Sequence, residues 1–245
     1  MIITQAPSPN FGPRKNGARI SMLVLHYTDT PTAFDALKLM QDPAHQASAH
    51  YLVDTDGAIT QLVSEDMRAW HAGQSCWEGE TDINSISIGI EIQNPGHSHG
   101  YAPFPFTQIQ AVTKLCLDIV ARHHILPQYV LGHSDVAPAR KKDPGVLFPW
   151  QILATHGIGM WPDVMEEDEL NVENIISDND QIKSLLTRFG YDQRLDLKTI
   201  LSAFSAHYAP EDFEEIDKTG KFTINTLQKI SDIYRQKLQN RRKII

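Results

Sequence analysis

Cysteine is scarce in this sequence. The 245 residues include only Cys76 and Cys116, and neither belongs to a Cys-x-x-Cys pair. A zinc site built on thiolates needs closely spaced cysteines, so any metal in this protein must be held by histidine and carboxylate side chains. The two cysteines could form one disulfide or stay free.

Long hydrophobic runs are also absent. The longest, ISMLVL at 20–25, is far shorter than the roughly 20 residues that a membrane-spanning helix needs. The first twenty residues contain early prolines and no apolar stretch of the length found in a secretory leader. We therefore expect no transmembrane segment. No leader is visible, but a leader removed earlier would leave the same picture, so the compartment stays open.

Positive charge is in short supply. Lys and Arg number 22 against 30 Asp and Glu, for a net charge of −8. Phosphate-backbone affinity requires clustered basic residues, and the only such cluster is the terminal RQKLQNRRKII. That cluster is better explained as a basic last helical turn, which complements the helix dipole. The composition argues against a nucleic-acid partner.

Strand-like and helix-like segments alternate over the first 161 residues. The apolar runs at 21–26, 85–92 and 129–133 have the form of buried strands, and 49–63 reads as a hairpin around DTDG. Apolar residues at three-and-four spacing predict helices near 32–40 and 107–124. This alternation predicts an α/β domain.

The composition changes after Trp161. Residues 162–180 carry eight acidic residues and no Lys or Arg, which is typical of a solvated linker. Residues 181–245 then contain three amphipathic patterns, IKSLLTRFGY, LKTILSAFSAHY and TINTLQKISDIYRQKL. They predict a small C-terminal domain of three helices.

Two histidines and an acid are placed for metal binding. His26 and His133 each end an apolar strand, so both can project from one edge of a sheet. Asp143 returns to that edge after a loop restricted by Pro138 and Pro144. Asp143 alone would more often be a turn or cap residue, but three ligands of this kind are the usual set for a catalytic zinc.

Glu91 and Lys141 have the chemistry to assist such a metal. Glu91 lies in the interior strand IGIEI, where an unpaired carboxylate is costly unless it has a function. It could act as the general base for an attacking water. Lys141, two residues before Asp143, could stabilise the oxyanion that forms on a carbonyl substrate.

His50 and His71 stand out among the 11 histidines because each lies in a distinctive segment, SAHYLVDTDG and AWHAG. Each could be a metal ligand, a substrate contact or a hydrogen-bonded core histidine. The spacing alone leaves these alternatives open.

The segments LVLHYTDT, SAHYLVDTDG, AWHAGQSCWEG, NSISIGIEIQN and GHSDVAPARKKDPGVLFPW together resemble a known family. They are similar to the zinc-dependent N-acetylmuramoyl-L-alanine amidases of the Amidase_2 type, which are related to peptidoglycan recognition proteins. The resemblance covers residues 20–161. The helical region resembles the peptidoglycan-binding C-terminal domain of two-domain periplasmic members.

The resemblance implies a central mixed β-sheet flanked by helices and a role for each candidate. Zinc would be held by His26, His133 and Asp143, with Glu91 and Lys141 as the catalytic pair. The substrate groove would be lined by further candidates: Trp70, His71, Asn84 and His50.

The implied reaction is hydrolysis of the amide between N-acetylmuramic (or 1,6-anhydro-N-acetylmuramic) acid and L-alanine, in wall turnover or recycling. The partners would be peptidoglycan or anhydromuropeptide fragments, and a wall-binding domain favours the periplasm or cell envelope over the cytoplasm. A non-catalytic peptidoglycan-binding protein is the alternative, but such relatives typically lack a complete ligand triad. A stem-peptide zinc peptidase would be expected to carry an H-E-x-x-H helix, and this sequence has none.

Overall fold

A six-stranded mixed sheet forms the centre of the protein. The computed structural model describes residues 1–163 and 178–242. The strands of the first range are β1 (Ile3–Gln5), β2 (Phe11–Pro13), β3 (Met22–Tyr27), β4 (Tyr51–Val53), β5 (Ile59–Gln61), β6 (Met67–Ala69), β7 (Ser87–Ile92) and β8 (Val130–Gly132). The sheet order is β1-β5-β4-β7-β3-β8, and β2 pairs with β6. Strands β4, β7, β3 and β8 run parallel, whereas β5 is antiparallel to β4, so the predicted mixed sheet is confirmed.

Helices surround this sheet. In the first described range they are α1 (Ala33–Gln41), α2 (Ile83–Ile86), α3 (Gly96–His99), α4 (Phe106–His123), α5 (His133–Val136) and α6 (Trp150–Thr155). In the second they are α7 (Asn179–Phe189), α8 (Leu197–Tyr208), α9 (Phe213–Thr219) and α10 (Ile224–Arg242). The predicted helical C-terminal region and the hairpin formed by β4 and β5 are confirmed.

Two of the predicted strands have different bounds in the structure. Residues 85–86 belong to the short helix α2, so β7 begins only at Ser87. His133 starts α5 instead of ending β8. The change to helix at this point is supported by the Asp135 carboxylate, which accepts a hydrogen bond of 2.7 Å from the Gly132 N–H.

The C-terminal region contains one helix more than the three predicted. Helix α9 was missed because it buries a single apolar side chain, Ile216, which is too little to make a periodic pattern. Helix α7 begins at Asn179, capped by the Asp178 carboxylate, so it starts inside the predicted 162–180 linker. Residues 164–177 of that linker lie outside the described residues. The boundaries at 161 and 181 stay predictions.

The sheet has an apolar layer on each face. On one face, Leu23 and Leu25 pack with buried residues of α4 such as Val112. On the other face, Met22 and Val24 belong to a cluster that includes side chains of α7, α8 and α10. This is the alternation of a strand buried on both faces. The helical region therefore covers one face of the central sheet.

Aromatic contacts join the helical region to the rest of the core. The Trp77 ring, 1% exposed, lies with its centroid 5.3 Å from Phe189 and 5.0 Å from Tyr191. Gly190 sits between these two residues with a φ of 155°, and a Cβ there would lie 2.3 Å from the Trp77 ring. Glycine is thus required for α7 to end against Trp77.

Two absences can be stated for the described residues. None of their helices is both long and apolar enough to cross a membrane. Cys76 and Cys116 are both buried and free.

The shared core leads to a stability prediction. Phe204 of α8 is 1% exposed within the cluster that contains Met22 and Val24, so Phe204→Ala should lower the free energy of unfolding by roughly 3–5 kcal/mol. Because the two regions share this core, urea denaturation followed by tryptophan fluorescence and by circular dichroism should give one coincident transition. Phe106, 70% exposed, is the matched control, and Phe106→Ala should change stability by less than about 0.5 kcal/mol. Two separate transitions would contradict the shared core.

Candidate metal centre and active site

The register of three parallel strands brings the candidate ligands together. Leu25 of β3 is paired with Gly132 of β8, so the residues that follow, His26 and His133, are neighbours at the same sheet edge. On the other side of β3, His26 is paired with Glu91 of β7. Parallel strands deliver functional side chains to their carboxyl ends in this way.

Asp143 is held at this edge by backbone contacts. The Ser134 N–H donates a hydrogen bond of 2.8 Å to the Asp143 carbonyl. The next residue, Pro144, approaches Gly132 so closely that a Cβ on the glycine would lie 2.8 Å from the proline Cδ. Gly132 therefore allows the loop to return onto the strand that carries His133.

The three ligand atoms converge. The His26 and His133 Nδ1 atoms are 2.9 Å apart, and they lie 3.0 and 2.9 Å from the Asp143 Oδ2. All three side chains are buried, at 1%, 3% and 5% exposure. These residues form a group able to hold a metal ion.

The Ala72 carbonyl determines which nitrogen of the His133 ring carries the hydrogen. His133 Nε2 lies 3.0 Å from the Ala72 carbonyl, and a carbonyl can only accept, so the Nε2 of His133 carries a hydrogen. A neutral His133 then presents a bare Nδ1 to the Asp143 oxygen. Two acceptors at this distance require a cation or an extra proton between them. Burial, and then the neighbouring His133, lowers the pKa of His26 to about 4, so the His26 ring is neutral near pH 7.

A cavity of about 430 Å³ opens beside this group. Glu91, Lys141 and Asp143 line it. Among the described residues, the Glu91 Oε2 is buried without a hydrogen-bond partner. Burial raises the pKa of the Glu91 carboxyl well above its usual range, the Asp143 charge raises it further, and Lys141 opposes both. The cavity is therefore lined by a carboxyl group with one unpartnered oxygen, on Glu91, and by the side chain of Lys141.

Two of the four predicted groove residues line the cavity. They are Trp70 and His71. The Asn84 Oδ1 instead accepts the N–H groups of His71 and Ala72, at 3.1 and 2.8 Å, so it shapes the segment that carries them.

His50 lies in the core, at 0% exposure. Its Nδ1 accepts the Gly89 N–H at 3.0 Å, and its Nε2 lies 3.1 Å from the Met67 carbonyl. Burial lowers the pKa of His50 to about 3. These contacts favour the core-histidine alternative over a substrate contact.

Tyr27 and Arg140 line the cavity as well, and the sequence reasoning missed both. Tyr27 follows His26 at the end of β3. Arg140 precedes Lys141, and its guanidinium donates to the Ala72 and Gln74 carbonyls at 2.8 and 2.9 Å. The sequence did offer a signal for both: Tyr27 is next to the candidate ligand His26, and Arg140 is next to the catalytic candidate Lys141.

The helical region reaches the metal group through Asp135. This carboxylate, 0% exposed, accepts hydrogen bonds of 2.7 Å from the Tyr191 hydroxyl and from the His207 Nδ1. The His207 ring is stacked between Trp150 and Tyr208, each at 3.7 Å. Helix α5, which begins with His133, is thereby anchored to α8.

Comparisons with known proteins agree with this architecture. The profile of the N-acetylmuramoyl-L-alanine amidase family, Amidase_2, matches residues 16–146, more than half of the chain. The N-acetylmuramoyl-L-alanine amidase AmiD of Escherichia coli (strain K12) is 42% identical over 213 residues, covering 78% of this chain and 76% of AmiD. The chain belongs to the N-acetylmuramoyl-L-alanine amidase family.

One further relative and one solved structure show how far the similarity extends. The 1,6-anhydro-N-acetylmuramyl-L-alanine amidase AmpD of Salmonella typhimurium (strain SL1344) is 33% identical over 163 residues, covering 60% of this chain and 85% of AmpD. A structure of E. coli AmiD in complex with the substrate anhydro-N-acetylmuramic acid-L-Ala-D-gamma-Glu-L-Lys has a TM-score of 0.79 and 36% identity, covering 94% of this chain and 93% of that chain. The predicted enzyme class, an amidase, is confirmed.

The metal group of this amidase gives a direct prediction. The purified protein should bind a single divalent ion per chain, and His133→Ala should lose most of it, because two remaining ligands hold a divalent ion poorly. Elemental analysis after dialysis measures both. His156, which is exposed, supplies the control, and His156→Ala should retain the metal. Equal metal content in the parent and in His133→Ala would refute the assignment.

Proposed function

We propose that this chain is a zinc-dependent amidase that cleaves the bond between the lactyl group of N-acetylmuramic or 1,6-anhydro-N-acetylmuramic acid and L-alanine. The observation that carries the proposal is the convergence of three potential metal-ligand atoms, those of His26, His133 and Asp143, next to a cavity lined by Glu91, whose Oε2 has no hydrogen-bond partner among the described residues. The AmiD complex supports the substrate class, because its bound substrate contains this bond.

Zinc fits the ligand set better than calcium or magnesium. Two imidazole nitrogens and one carboxylate are typical zinc ligands, whereas the other two ions prefer oxygen alone. Atoms around a tetrahedral zinc with bonds of about 2.0–2.1 Å are roughly 3.3 Å apart. The spacings of 2.9–3.0 Å need only a small outward movement to match. When bound, zinc would polarise the scissile carbonyl and lower the pKa of a water to about 7.

We assign proton transfer to Glu91. Its carboxylate would accept a proton from the water that attacks the carbonyl carbon. It would then deliver that proton to the L-alanine nitrogen as the C–N bond breaks and the new C–O bond remains. Burial and the Asp143 charge raise the pKa of Glu91, and a raised pKa makes a carboxylate a stronger proton acceptor.

Lys141 would stabilise the charge that develops on the carbonyl oxygen. It lines the same cavity as Glu91 and acts on that carboxyl electrostatically. A positioned cation at a developing oxyanion is a common source of rate enhancement. A buried structural ion pair is the competing explanation, but no Glu91–Lys141 ion pair of 4.0 Å or less is present in the described part of the chain.

Substitution of each group tests this assignment. Glu91→Gln should lower turnover roughly 10²- to 10⁴-fold through loss of the general base. Lys141→Met should lower it about 10²- to 10³-fold through loss of the oxyanion donor. The measurement is mass spectrometry of products from intact sacculi and from purified anhydromuropeptides, run side by side. Glu214→Gln and Lys114→Met are exposed controls and should keep parental rates.

Three outcomes separate the explanations. Variants that stay folded and metallated but inactive support the catalytic roles. Variants that unfold earlier yet turn over at near-parental rates when folded would make the pair structural. Products cut within the stem peptide would refute the amidase bond itself.

We further propose that residues 181–245 contribute to binding polymeric wall, which places the enzyme in the periplasm or cell envelope. The AmiD structure matches 94% of this chain, so that match extends into the helical region. AmpD matches only 60% of the chain. This difference supports a role for the helical region in addition to amide hydrolysis. A cytoplasmic enzyme would meet only soluble fragments.

Hydrogen exchange tests the wall-binding role in the complete chain. Sacculi added to Glu91→Gln should slow exchange in peptides of α8–α10 as well as around the cavity, because bound polymer excludes water from the surfaces that it covers. A soluble anhydromuropeptide should protect the cavity alone. Protection confined to the cavity with both ligands would refute wall binding by the helical region.

A further inference from the structure

His71 occupies a position that neither metal binding nor substrate contact explains. Its Nδ1 lies 3.0 Å from the outer nitrogen of His26, Nε2. Its Nε2 lies 3.0 Å from the Ser87 hydroxyl. Both ring nitrogens therefore have hydrogen-bond partners inside the protein. Neither is left to form a hydrogen bond with a substrate in the cavity.

The direction of these hydrogen bonds is set by a backbone carbonyl. The Ser87 Oγ is 2.6 Å from the Ile83 carbonyl, which can only accept, so the single hydroxyl hydrogen points there. Ser87 must then accept from His71, which requires a hydrogen on the His71 Nε2. A neutral His71 is left with a bare Nδ1, which accepts from His26 Nε2–H. His26 consequently turns a bare Nδ1 toward the metal group.

The neutrality of His71 is consistent with its surroundings. The ring is 8% exposed, so a charged imidazole would lose most of its hydration there. Among the described residues, no carboxylate forms an ion pair with it, so a doubly protonated ring would have no counter-ion.

The sheet provides a recess for this ring. Ser87, Gly89 and Glu91 alternate along β7 and share one face. A Cβ on Gly89 would lie 2.4 Å from the His71 Cγ. Glycine at this point of a central strand is unfavourable by itself, and here it leaves the space in which His71 can reach both Ser87 and His26.

We propose that His71 is a positioning residue for the metal centre, held by Ser87 and the Gly89 recess, and that it fixes the tautomer and orientation of His26. The inference rests on the metal site proposed above. Outer partners of metal-bound histidines act in this way, and their loss typically weakens metal binding roughly 10- to 100-fold.

Zinc affinity, measured by competition with a chromophoric chelator, tests the role apart from activity. His71→Ala should bind zinc about 10- to 100-fold more weakly than the parent. His71→Asn should bind near the parental level, because the amide oxygen can replace the Nδ1 acceptor. The positioning role would be wrong if His71→Asn bound zinc as weakly as His71→Ala, or if His71→Ala bound zinc as tightly as the parent.

A glycine pair supplies the matched control for the recess. Gly89→Ala should weaken zinc binding by displacing the His71 ring. Gly12→Ala should not, because a Cβ there meets nothing nearer than 4.0 Å, the Trp70 Nε1. Equal zinc affinities in these two variants would refute the recess.

The tautomers can be read in metal-free protein by ¹⁵N NMR of the imidazole rings. His71 should carry its hydrogen on Nε2 alone, and Ser87→Ala should replace this single form by a mixture. A hydrogen on the His71 Nδ1 in the parent, or an unchanged single form in Ser87→Ala, would overturn the proposal. If the parent bound no zinc, the metal centre would fail instead, while the NMR result would still decide the hydrogen-bond chain.

Discussion

Three buried acceptor atoms converge within 3.0 Å of one another, and most of the structure around them serves to hold this arrangement. Acceptors removed from water repel each other unless a cation lies between them. The fold sets the positions through strand register, with His26 beside His133, and through the close approach of Pro144 to Gly132. The binding energy of a cation held by this group would offset the cost of the convergence, which would couple metal affinity to local folding.

The helical region belongs to this arrangement as much as the sheet does. It covers the face that bears Met22 and Val24, and it satisfies Asp135, two residues after His133, with Tyr191 and His207. A module that only bound the wall would not need contacts of this kind. The same helices can present their outer surface to peptidoglycan, so a structural role and a wall-binding role are compatible.

Much of the site was predictable because its residues are the ends of recognisable strands. The runs before His26 and His133 and the Ile-rich strand containing Glu91 showed which side chains meet at one sheet edge. The environment of each polar group was not predictable. Asn84 and His50 were expected to face the groove, but their partners are backbone groups distant in sequence. Helix α9 was missed because Ile216 alone is buried in it. The packing of α7 and α8 against the sheet could not be predicted either, because contacts between segments so distant in sequence produce no local pattern.

Three carboxylates near this sheet edge differ in function because they differ in hydrogen bonding. Asp135 accepts hydrogen bonds from a backbone N–H, a phenol and an imidazole. Its role is therefore structural. The Asp143 Oδ2 faces two imidazole nitrogens, the arrangement expected of a metal ligand. Glu91 has a buried oxygen with no partner in the described structure, at a desolvation cost that nothing structural repays. Of the three, only Glu91 has a buried oxygen without a partner among the described residues, and this difference is the basis for proposing it as the general base.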